Sequence, residues 1–162
     1  MTDQPLAQTI AAPDIKAGAA ALGVLLLTSI HHIYGAVIYD TPWRLHIVMI
    51  SVPVAIIIAA LLYASRVASR PTWRLVAKWT AAAVILVFPI VMIGFYEGGF
   101  NHVYKNIVFF AFGEAAMRAD FPSAMVEMPN DLFFEVSGIL QFPLAVYTLT
   151  QLRGFLWPTR QA

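Results

Sequence analysis

Four histidines and three carboxylates are the residues of this chain best suited to chemistry: His31, His32, His46 and His102, with Glu97, Asp131 and Glu135. Imidazole combined with carboxylate suits iron, copper or zinc. The same groups in an apolar setting can also move protons. There is no cysteine, which excludes disulfides, thiolate metal sites and dithiol redox chemistry. The densest stretch is FYEGGFNHVYKN, residues 95–106, where an apolar run ends on Glu97, two glycines, Asn101, His102 and Lys105. Asp131 and Glu135 are spaced i, i+4 and share a helix face. His31 and His32 lie about 100° apart on a helix, so they cannot both face one point in the same way. Neither the Glu-x-x-His pair of di-iron bundles nor the HExxH of zinc proteases is present, since Glu97 and His102 are five apart. Residue types therefore support a metal, and no motif does.

The elements that must position these residues are membrane spans. The 162 residues are 60% hydrophobic and 12% charged, against about a quarter charged in soluble proteins. Crossing a bilayer takes roughly 20 apolar residues, and four stretches qualify: Ala17–Tyr39, Leu45–Ser65, Leu75–Tyr96 and Leu132–Leu152. The expected fold is an all-α integral membrane protein. Its four transmembrane helices form an up-down bundle, with a long outer connection carrying a short interfacial or re-entrant helix. One domain spans 17–157, between tails at 1–16 and 158–162, and the outer connection is 97–131. Within it NIVFFAFG (106–113) is apolar but too short to span. GEAAMRADFPSAMVEM, which follows, predicts one short helix over the bundle mouth. Gly98 and Gly99 are expected to turn the chain back over the site. Asn130 or Asp131 caps the fourth helix.

Basic residues set the orientation. Arg66, Arg70, Arg74 and Lys78 fill the second loop without an acid, and Arg153 and Arg160 follow the last span. The positive-inside rule puts this loop and both termini in the cytoplasm, in a bacterial-type inner membrane or its equivalent. All four histidines, Glu97, Asp131 and Glu135 then fall in the outer half. Ionisable groups within a membrane are costly and usually mark function, so the sorting predicts an outward-facing polar site. Glu97, Glu135 and His102 are the candidate catalytic residues. His31, His32, His102, Glu97, Asp131 and Glu135 are the candidate metal donors, and no residue is assigned to an organic cofactor. His46, beside Trp43, reads better as interfacial. Asp131 has a competing reading as a helix cap, and Glu97 as a simple helix end. Arg44, Lys105 and Arg118 read as outer-surface or partner-pairing groups.

Three kinds of function fit this set. The first is metal-dependent oxidation of a lipophilic substrate, with iron or copper. Haem held by His102 with His31 or His32 ranks below it, and a site with no cofactor is equally defensible. The second is a metal-free acid/base isomerase or cyclase of a sterol-like or isoprenoid molecule. The third is a non-catalytic accessory subunit or a proton-coupled carrier. Membrane lipids and a small lipophilic substrate are the expected partners, with a homodimer or a larger membrane partner left open. A net charge of +1 without a long basic cluster points away from nucleic acid. A partner-binding role would put the polar cluster outside the bundle, and a site would put it inside.

Overall fold

The structure, a computed structural model, describes residues 12–122 and 126–157. Helix α1 is Pro13–Ile38, and a 3-10 turn, Pro42–Leu45, leads into α2, His46–Val67. Helix α3 runs from Pro71 to Phe112. Helix α4 is Glu114–Asp120 and α5 is Leu132–Leu156. Among the described residues there is no strand, and four helices are long and apolar enough to cross a membrane. The chain is an all-α integral membrane protein. The residues expected in the C-terminal tail, and 1–11 of the N-terminal one, lie outside the described residues; Pro13 at the first turn starts α1 earlier than Ala17.

The third span differs most from expectation. Gly98 and Gly99 do not turn the chain, and the helix passes through them for 42 residues in all. The turn comes at Gly113, whose φ of +88° suits glycine. The middle of α3, Leu86–Tyr104, is wound as a π-helix with i→i+5 bonding. Pro89 lies near its start, and a proline there removes one amide donor and crowds the carbonyl four residues back. NIVFFAFG is therefore mostly the end of α3 rather than a separate interfacial piece. The short helix expected over the mouth is α4. It folds back on α3 through a small cluster of Val108, Met117 and Phe121.

Glycines set how closely the helices approach. A Cβ on Gly94 would run into Ala145, and one on Gly98 would meet Phe142 N at 2.7 Å and Gln141 Cβ at 2.9 Å. A Cβ on Gly138 would run into the His102 ring. Small residues are how membrane helices come close without a hydrophobic drive between them. α5 thus packs along the π-wound part of α3, and on its other side against α1. The basic end of the bundle has an apolar core that includes Ala21, Leu25, Ile58, Ile85, Leu152 and Phe155. Large side chains such as Val37 and Met49, each 74% exposed, and Ile56, 64%, form the lipid-facing surface.

Candidate functional site

The end of the bundle opposite the basic one is polar inside. His31 is fully buried, and His32, His102, Lys105 and Glu135 are each at most 5% exposed. α1 contributes His31 and His32, α3 contributes Glu97, Asn101, His102, Lys105 and Asn106, and α5 contributes Glu135 and Ser137.

Glu97 Oε1 is the centre of the arrangement. His32 Nε2 lies 3.6 Å from it, His102 Nε2 3.7 Å and His31 Nε2 3.8 Å. One donor atom each from His31, Glu97 and His102 falls within 4.8 Å of the others. The π-winding explains how Glu97 and His102 meet. In an α-helix about 100° per residue puts positions five apart roughly 140° round the axis. With i→i+5 bonding each turn takes more residues, which brings the two much nearer to one face.

Each group is held from behind. Asn101 Nδ2 donates to Glu97 Oε2 at 2.7 Å, which leaves Oε1 for the imidazoles. Ser137 Oγ donates to the Phe134 carbonyl at 3.1 Å, so it accepts from His31 Nδ1 at 2.9 Å. With the Ser137 proton on the Phe134 carbonyl, His31 carries its own proton on Nδ1, and its Nε2 has no hydrogen-bond partner. Its ring also stacks on Phe134, centroid to centroid 4.2 Å. His102 Nδ1 donates to Glu135 Oε2 at 2.9 Å. Glu135 must be an anionic acceptor there, because it also takes hydrogen bonds from Lys105 Nζ, at 2.6 Å, and from Asn106 Nδ2. Lys105 Nζ further donates to the Glu127 carbonyl at 3.1 Å. Both ring nitrogens of His32 lack a hydrogen-bond partner.

Not every expected donor joins. Asp131 is the α5 cap, accepting from Phe134 N at 2.8 Å and from the Tyr34 hydroxyl at 3.0 Å, and it stands apart from the cluster. Its place just before the first turn of α5 satisfies an orphan amide of that helix. Glu135 reaches the cluster only through His102. His46 is exposed, bonds the Trp43 carbonyl at 2.6 Å and stacks on the Trp43 ring. Lys105 and Arg44, expected as outer-surface or partner-pairing groups, are buried and paired, Arg44 with Glu127 at 2.9 Å and Lys105 with Glu135. The sequence reading missed Ser137, Asn101 and Asn106. Asn101 is i+4 from Glu97 and Asn106 is i+4 from His102, so helical spacing would have flagged both had the helix been extended past the glycines.

A cavity of about 680 Å³ opens beside the cluster. His32, Glu97 and His102 lie in its wall, and His31 does not. Trp43, Ile50, Phe88, Met92 and Tyr96 make its apolar side, and Asn101 and Lys105 are among its polar groups. α2 packs mainly on α1 and on Pro71–Ile85, and stands off from the π-wound segment. The cavity fills that gap between the start of α2 and α3. Comparison with protein-family models, with curated proteins and with solved structures found no match.

Proposed function

We propose that this chain is a membrane-embedded metalloenzyme that oxidises a lipophilic substrate drawn from the bilayer. Its metal would be held by His31 Nε2, His102 Nε2 and Glu97 Oε1, with His32 Nε2 as a further donor. The observation that carries the proposal is the convergence of three imidazole nitrogens on one carboxylate oxygen, with their far sides anchored at His31 and His102. Metal-binding histidines characteristically give their other ring nitrogen to a carboxylate or another acceptor, which fixes the tautomer. Ser137 and Glu135 fill that role.

Charge balance supports a cation. Glu97 and Glu135 are two carboxylates in the interior, and Lys105 neutralises one of them. Glu97 is half-buried on the cavity wall, and among the described residues only histidines lie within ion-pair distance of it, so a bound cation would balance its charge. Two histidines and one carboxylate with open positions suit iron in particular, and imidazole-rich sets also suit copper and zinc. When bound, such a metal supplies redox or Lewis-acid chemistry. The chain's residues would hold and orient it. Haem fits less well, because the His31 and His102 rings pack edge to face at 4.7 Å, which leaves no slot for a porphyrin.

The cavity supports a substrate with an apolar body and a polar end. Its apolar wall faces the gap beside α2, and Asn101 and Lys105 lie toward the polar outer end. By the positive-inside rule the end carrying Arg66, Arg70, Arg74 and Lys78 faces the cytoplasm and the site faces outward. The burial of the cluster favours an internal site over a partner-docking surface.

A second reading rests on one continuous network, Glu97, His102, Glu135 and Lys105. Without a metal it forms a proton relay into the cavity and suits an acid/base isomerase or cyclase. Elemental analysis with an optical spectrum, on protein purified in mild detergent without chelator, separates the two. Stoichiometric iron or copper, lost in a His31/His102 double alanine variant, is expected. Protein that stays metal-free after loading would refute the metal centre and favour the relay.

A further inference from the structure

The basic end of the bundle holds a second cavity, of about 610 Å³, between the start of α1, the end of α2, the start of α3 and the end of α5. Asp14, Ser65, Arg66, Arg74, Lys78 and Phe155 are in its wall. The charges there do not cancel. Arg66 grips the Asp14 carboxylate through Nε and through Nη2, the latter at 2.6 Å, so that pair is neutral. Arg74 Nε donates to the Ala68 carbonyl at 2.6 Å. Lys78 Nζ donates to the Leu156 carbonyl at 3.2 Å and sits over the Phe155 ring at 5.2 Å. Among the described residues neither Arg74 nor Lys78 has a carboxylate within ion-pair distance. Each retains donors for a further acceptor.

We propose that this cavity binds the headgroup phosphate of an anionic phospholipid. Two cations held by neutral carbonyls in a concave site match a phosphate oxygen cluster. The surroundings match the rest of a lipid: Leu75 and Trp79, 55% and 49% exposed, share one side of α3, and Trp73, 59% exposed, lies on another. Tryptophan at this depth is usual at the headgroup boundary, and basic pockets between membrane helices bind acidic headgroups. Orientation alone requires basic residues near a span, but not two of them, the exposed Arg74 and the half-buried Lys78, side by side on the rim of a cavity at four helix ends.

Native mass spectrometry of the detergent-solubilised chain tests this. Phosphatidylglycerol and phosphatidylcholine with the same acyl chains are added in equal amounts. Wild type is expected to retain phosphatidylglycerol in roughly tenfold excess or more, from the attraction of two cations. The Arg74→Gln/Lys78→Gln variant is expected to hold both lipids equally, with an unchanged circular dichroism spectrum. Arg70→Gln, at the same end but not lining the cavity, should keep the preference. Equal binding by wild type, a preference that survives in the double variant, or its equal loss in Arg70→Gln overturns the proposal. So does displacement of the lipid by excess inorganic phosphate, which would make the ligand a soluble anion.

Discussion

Replacing Ser137 by alanine is the most direct test of how His31 is held. Ser137 is 5% exposed, and the change removes only its hydroxyl oxygen. That oxygen relays the Phe134 carbonyl to His31 Nδ1. Without it, a buried ring N–H is left unpaired, at a cost of about 1–3 kcal/mol. The imidazole is then free to move its proton to Nε2, the atom aimed at Glu97. That tautomer cannot ligate, so affinity should fall about 10–100-fold, the usual loss when an outer partner of a ligand histidine is removed. The Phe134 stack remains, which keeps the ring near its place. The assay is competition of the purified protein with a chromophoric chelator for cobalt or zinc, alongside thermal unfolding in the same detergent. If wild type binds metal, His31→Ala does not, and Ser137→Ala matches wild type in affinity, the tautomer reasoning is wrong.

Other consequences are as specific. Gly138→Ala would push a methyl into the His102 ring, so metal affinity and stability should both drop, the latter by about 1–3 kcal/mol; Gly154→Ala, which meets nothing, should be neutral or stabilise by about 0.5–1 kcal/mol. Lys105→Met should destabilise by about 3–5 kcal/mol, since it strands Glu135, and adding Glu135→Gln should restore much of that loss; strict additivity in the double-mutant cycle would contradict the buried pair. Because the chain has no cysteine, single cysteines in place of the exposed Ser69 and Ala119 report sidedness: a membrane-impermeant maleimide should label Ala119→Cys from outside the cell and Ser69→Cys only after lysis. Labelling of both from one side would break the proposed orientation.

Much of the fold was legible because hydropathy is a long-range property of a segment. Four apolar runs mark the spans whatever the details of their packing, and Asp131 as a cap was readable from MPND. Which polar residues share one end of the bundle was legible, and how they meet there was not. His31, Glu97 and His102 could be assigned to the same end of the bundle from topology. Whether a five-residue spacing faces one point depends on helix pitch, and nothing in YEGGFNH announces a π-helix. The Gly98–Gly99 pair suggested a turn, while its packing role needs α5 beside it. Lys105 read as an outer-surface or partner-pairing group, without its burial, because the third helix is expected to end before it. Ser137 carried no signal by itself, since a lone serine near a membrane helix start is common.

The winding of α3 makes the site intolerant of length changes in a way that substitutions do not reveal. In an ordinary helix the chain can gain or lose a residue far from a site and shift only what lies beyond it. Between Glu97 and His102 there is no such slack, because one residue fewer would change the angular phase of the pair. Within this segment insertions and deletions should therefore be selected against far more strongly than exchanges of the neighbouring exposed Phe95. Among homologous chains the spacing from Glu97 to His102 should be constant even where the residues between them vary.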